Sequence, residues 1–80
     1  MVSAKAFILI ETVGSKSKEV VNQLGKLRGV ESVDPVTGPY DIIAMVSGEN
    51  LNDIGDLITG KIHSIPGINR IVTCLVIKSS

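Results

Sequence analysis

A near-repetition at an offset of 38 residues constrains this chain more than any other feature: Leu27-Arg28-Gly29-Val30 through Val33 is echoed by Ile65-Pro66-Gly67-Ile68 through Ile71. In each copy an apolar helix-end residue is followed by a glycine stop and a β-branched strand entry, so the chain is built from two similar halves. Each half reads as strand, amphipathic helix, glycine, strand, and the whole spells βαββαβ. That order predicts an α+β, ferredoxin-like sandwich: an antiparallel four-stranded sheet with two helices on one face.

Local signals place the elements. Residues 5–12 are rich in strand formers, with both odd and even positions apolar. Val13-Gly14-Ser15 turns the chain, and Val20, Val21, Leu24 and Leu27 follow at helical spacing, with Ser15 or Ser17 as N-cap and Glu19 near the start. A second strand runs from Val30 to Pro35, where the missing backbone donor of proline marks an edge or the end of pairing. Thr37-Gly38-Pro39 then makes a tight link to a third strand, Tyr40 to Ser47, its antiparallel hairpin partner. Asn50 is positioned to cap a second helix, with Asp53 three residues on and Leu51, Ile54, Ile58, Ile62 and Ile65 forming its apolar stripe. The fourth strand is expected at Arg70 to Lys78, with Ser79 and Ser80 a frayed end. Gly25, Gly55 and Gly60 fall inside the helical patterns at about 1 kcal/mol each relative to alanine, which reads as close packing or tolerance. At Gly55 and Gly60 a sharper alternative is the approach of another backbone or a ligand to helix 2.

Strand alternation sends Ala6, Ile8 and Ile10 to one side of the sheet and Phe7 and Leu9 to the other, and the third and fourth strands divide the same way. Two helices cover one side, leaving on the order of six to eight apolar side chains on the other, each worth about 1.5 to 3 kcal/mol if fully buried. That sum, roughly 10 kcal/mol or more, is comparable with the about 4 to 15 kcal/mol lost on association. A homodimer packing sheet to sheet is expected, because soluble monomers rarely expose such patches.

Composition narrows the function. The chain has 80 residues, expected as one domain over 1–80, a size at which association helps a marginal core. Eight Lys plus Arg balance eight Asp plus Glu, so the electrostatic footprint of a nucleic-acid binder is lacking. The apolar run Phe7 to Ile10 is too short for a signal or membrane segment, and no membrane partner is expected. A single cysteine, Cys74, allows no internal disulfide and fits a reducing, cytoplasmic setting. It is expected to be a buried, inert thiol. Phe7 and Tyr40 are the aromatics, too few for a stacking platform.

Thr37-Gly38-Pro39-Tyr40-Asp41 gathers a hydroxyl, a flexible glycine, a phenol and a carboxylate where a loop enters a strand, and is the best candidate site. Asp41 could accept from an ammonium group while amides around Gly38 hold a carboxylate, a match for a free amino acid. Ordinary turn chemistry accounts for the same residues. His63 has no second metal ligand nearby in sequence, and Glu49, Asp53 and Asp56 read as a solvated acidic start to helix 2. No phosphate loop, nucleophile elbow or metal-ligand spacing is present, so no catalytic residue, metal or cofactor is expected.

At Val36-Thr37-Gly38-Pro39-Tyr40-Asp41-Ile42-Ile43-Ala44, supported by Leu24 to Val33 and Ile62 to Ile71, the chain resembles the effector-binding (RAM) domain of Lrp/AsnC transcriptional regulators. The resemblance covers essentially the whole chain and lacks the family's helix-turn-helix domain, so it is closest to stand-alone members. It implies the βαββαβ sandwich, dimerisation through the sheet, rings from tetramer to octamer, and amino acids or related effectors bound between dimers. By the same resemblance Gly38, Tyr40 and Asp41 line the effector cleft, and Thr73 matches one of two threonines of the last strand. Ile71 stands where the other threonine would be.

The leading expectation is a non-catalytic, oligomeric amino-acid sensor that modulates transcription by co-assembly with full-length Lrp/AsnC regulators, without binding DNA itself. The alternatives are a structural assembly partner with no effector, a small dimeric α/β-barrel enzyme, and an ACT-type domain with its ligand near Gly14.

Overall fold

The computed structural model describes residues 4–77. Its elements are β1 (Ala4–Thr12), α1 (Ser17–Gly25), β2 (Val30–Pro35), β3 (Ile42–Gly48), α2 (Leu51–Leu57) continued by a π-helical turn (Ile58–Ile62), and β4 (Ile68–Leu75). The strands form one antiparallel sheet in the order β2-β3-β1-β4, as the βαββαβ reading requires. The repeat is structural: β1 and β3 begin 38 residues apart, at Ala4 and Ile42, and so do β2 and β4, at Val30 and Ile68.

Gly29 and Gly67, the repeated stops, have φ of 99° and 100°, a region that L side chains rarely adopt. Their carbonyls bind across to the other half: Gly29 C=O accepts from Ser47 N–H at 2.9 Å and Gly67 C=O from Val13 N–H at 2.8 Å. A Cβ at Gly67 would lie 2.7 Å from that of Lys16, so both conformation and space require glycine.

Helices α1 and α2 lie over one face, α1 on β2 and β3, α2 on β3 and β1. Beneath them Ala6, Ile8, Ile10, Ile42, Ala44 and Val46 are completely buried, together with Val20, Leu24 and Ile62 from the helical segments. Among the described residues this core contains no buried polar or charged side chain, so it makes no demand for internal polar partners. The edge strand β4 joins it through Ile68 and Ile71, while Thr73 and Leu75 stay exposed.

Several local expectations shift. The N-cap of α1 is Lys16, with no side-chain hydrogen bond, because Ser17 already belongs to the helix and its hydroxyl lies 3.5 Å from Thr12 Oγ1. Asn50 does cap α2, accepting from Asp53 N–H at 2.9 Å. Leu51 is 60% exposed and leaves the apolar stripe, whereas neighbouring Leu57 and Ile58 are both buried where α2 widens into its π turn. Nothing approaches within 4 Å of where a Cβ would sit on Gly25, Gly55 or Gly60, so tolerance, not packing within the chain, accounts for them. The third strand begins at Ile42, since Tyr40 and Asp41 remain in the loop, and the fourth spans Ile68–Leu75. Lys78, Ser79 and Ser80 lie outside the described residues.

The face opposite the helices is open. The strand register aligns Phe7 with Met45 and Cys74, and Leu9 with Ile43 and Val72, giving two apolar rows across β3, β1 and β4. Phe7 is 43% exposed and Leu9, Ile43, Met45 and Val72 are half-buried by one another. Covering this face would therefore recover only part of the transfer energy expected for fully exposed side chains. Cys74 is exposed here, not buried: it points away from the helices, on an edge strand with no neighbour beyond it.

Candidate functional site

The ends of β1 and β2 and the starts of β3 and β4 meet at one end of the sheet, and the loop 36–41 folds over that end. Its base is closed by backbone bonds from Val36 N–H to Asp41 C=O and from Asp41 N–H to Ile10 C=O, both 2.9 Å. Gly38 at its tip has φ of 134° with open space around it, so glycine serves the turn and also leaves the backbone approachable.

Asp41 is engaged by its own chain. Its Oδ2 accepts from Thr12 N–H at 2.8 Å and from Thr12 Oγ1 at 3.1 Å. These charge-assisted bonds tie the loop to the last residue of β1. The carboxylate thus anchors the loop through Oδ2.

Tyr40 turns the other way. Its hydroxyl accepts from Arg70 Nη2 at 3.0 Å, and Arg70 Cζ lies 5.4 Å from the ring centroid, within cation–π range. Arg70 stands opposite Glu11 in the β1–β4 register, but Glu11 Oε1 instead accepts from Asn69 Nδ2 at 2.6 Å. No carboxylate of a described residue pairs with Arg70.

Thr73 does not join this group. It pairs with Ile8 in the register and so lies on the helix side of the sheet, whereas Arg70, three residues earlier, lies on the open side. Ile71, also on the helix side, packs against the core. The hydroxyl missing at that position is replaced by core volume. A separate groove of about 420 Å³ runs between α1 and the end of β2, lined by Ser17, Lys18, Val21, Asn22 and Pro35, and shares no residue with the loop. His63 is exposed at the end of the π turn, and among the described residues no three His, Cys, Asp or Glu side chains converge as a metal site would need.

The structure sets Gly38, Tyr40 and Asp41 on one loop and brings to it Thr12 and Arg70, which sequence reasoning did not name as site residues. The signal was available in the topology: antiparallel pairing of β1 with both neighbours brings the end of β1 and the start of β4 beside the β2–β3 loop.

The model of the Lrp/AsnC ligand binding domain matches residues 5–80. The chain belongs to this family. An uncharacterized helix-turn-helix-type transcriptional regulator of Pyrococcus furiosus is 35% identical over 71 residues, covering 85% of this chain and 47% of the relative. The chain thus spans about half the length of the curated Lrp/AsnC relatives it matches, which are transcriptional regulators. Among solved structures, TTHA0845 of Thermus thermophilus superposes with a TM-score of 0.92 at 31% identity, covering 98% of both chains. The regulator NMB0573 of Neisseria meningitidis, solved as an L-Met complex, shares the fold at a TM-score of 0.85 and 19% identity, over 95% of this chain and 51% of that one. Both agree with the Lrp/AsnC ferredoxin-like sandwich. No described helix is long and apolar enough to cross a membrane.

Proposed function

We propose that this chain is a non-catalytic sensor module of the cytoplasm. It pairs sheet to sheet with a second copy, assembles further into a ring of dimers between tetramer and octamer, and binds a free amino acid or related small effector at the 36–41 loop. It modulates transcription by co-assembling with full-length Lrp/AsnC regulators, without touching nucleic acid itself.

The observation that carries this reading is the open sheet face, where Phe7, Leu9, Ile43, Met45, Val72 and Cys74 form one apolar surface. A second copy of the same surface is its natural cover, since a two-fold pairing is self-complementary. Effector binding is supported by the loop's approachable Gly38 backbone beside Tyr40, and by analogy with the L-Met complex of the Neisseria regulator.

A second reading, an assembly partner without effector, is favoured by one observation: Asp41 Oδ2 is engaged twice by Thr12 of its own chain. Light scattering on the purified chain tests the assembly, with a mass of one protomer, 8.5 kDa, counting against both readings. Thermal-shift measurements with the common L-amino acids separate them, since an effector at one hundred times its Kd adds about 2.7 kcal/mol. A selective shift supports the sensor; no shift with any of them supports the assembly partner.

A further inference from the structure

We infer that Arg70 and Tyr40 form a carboxylate clamp, and that Arg70, not Asp41, supplies the charge that selects the effector. The inference rests on the effector reading of the 36–41 loop. It names the chemical class: a small molecule presenting a carboxylate, whether an amino acid or a simple monocarboxylate.

A guanidinium carries five N–H donors in a rigid fork that matches a carboxylate. Arg70 spends one of them on the Tyr40 hydroxyl at 3.0 Å, a neutral acceptor. The ring 5.4 Å from its Cζ further restrains the fork. Because the Tyr40 oxygen accepts from Arg70, its own O–H proton is left to donate. Tyr40 O–H and the remaining Arg70 N–H groups therefore form a paired set of donors beside the Gly38 backbone.

The nearby carboxylates keep their charge but are hydrogen-bonded to neutral groups and not to Arg70. Glu11, across from Arg70 in the sheet, accepts from Asn69, and Asp41 accepts twice from Thr12. With Asp41 acting on the loop through β1, it is a positioning residue. Arg70 makes no ion pair with a described residue, so its guanidinium remains available to an effector's carboxylate.

The test follows the arginine Nε–H signals of the full chain by NMR, with Arg28 as internal control. The titrants are the common L-amino acids, their α-amides, and amine-free monocarboxylates such as pyruvate and 2-oxoisovalerate. Thermal shifts are recorded in parallel. The expected result is that one or more amino acids move the Arg70 signal while their amides do not. Arg70→Gln then weakens that binding about tenfold or more, as loss of a charged hydrogen-bond partner should. Asp41→Asn lowers the melting temperature of the free chain but keeps the preference for acid over amide. If monocarboxylates move Arg70 and amino acids do not, the clamp stands and the amino-acid class falls. If an amino acid stabilises the wild type and Arg70→Gln equally, the sensor reading survives and the clamp is overturned. If neither class moves Arg70, the clamp is overturned, and the thermal shifts alone decide whether sensing survives.

Discussion

Ile8 and Leu9 are neighbours on one strand, equally apolar, and lie on surfaces with different fates. Ile8 is completely buried beneath the helices, whereas Leu9 is half-buried on the open face between Ile43 and Val72. The helix side closes its own core with side chains from both halves of the repeat. The other side is just as apolar across β3, β1 and β4 but is finished only laterally, each side chain sheltering its neighbours. One sheet thus sets a closed core and an uncovered apolar face one residue apart.

The sharpest way to break this comparison is to charge the two neighbours in turn. Ile8→Asp buries a carboxylate with no partner, which should cost about 4 kcal/mol or more and abolish the folded state, seen as loss of circular-dichroism signal. Leu9→Asp should leave that signal intact while light scattering reports a smaller assembly, because the charge would lie at the proposed interface between copies. If Leu9→Asp also unfolds the chain, protomer and assembly fold as one unit.

Gly67→Ala sharpens the helix side. Its φ of 100° and the 2.7 Å approach to Lys16 Cβ should cost about 1 to 3 kcal/mol in denaturant unfolding, with the mass of the folded assembly unchanged. A smaller effect on the same side is expected from Asn50→Ala, about 1 kcal/mol, since it removes the cap on Asp53 N–H.

The mildest probe is chemical. Cys74 is exposed on the open face of the protomer, so sheet-to-sheet pairing should slow its reaction with a thiol reagent, and Leu9→Asp should restore the rate. Equal rates in both would mean that no second copy covers this face.

The clamp end of the molecule was read less completely than the sheet. Gly38, Tyr40 and Asp41 stand together in sequence, and their turn chemistry makes the loop visible. Arg70 lies thirty residues beyond Tyr40, and the Thr12 bonds to Asp41 span twenty-nine, so both partnerships depend on strand register. Thr73 enters by family resemblance alone, and strand parity sets it on the face away from Arg70. Cys74 was expected buried because free cysteines usually are, a tendency that takes no account of an uncovered sheet face.

What the sequence determined by itself is what local physics controls. The alternation of side chains along each strand made both faces apolar, and the repeated glycines at 29 and 67 set the same left-handed stop before β2 and β4. The Asn50 cap and the element order βαββαβ are of the same kind. Only the tertiary structure decided which polar groups are paired with which, because hydrogen-bond partners are chosen by distances that pairing creates. It bound Asp41 to Thr12, set Arg70 on Tyr40, gave Glu11 to Asn69 and filled the Ile71 position with core.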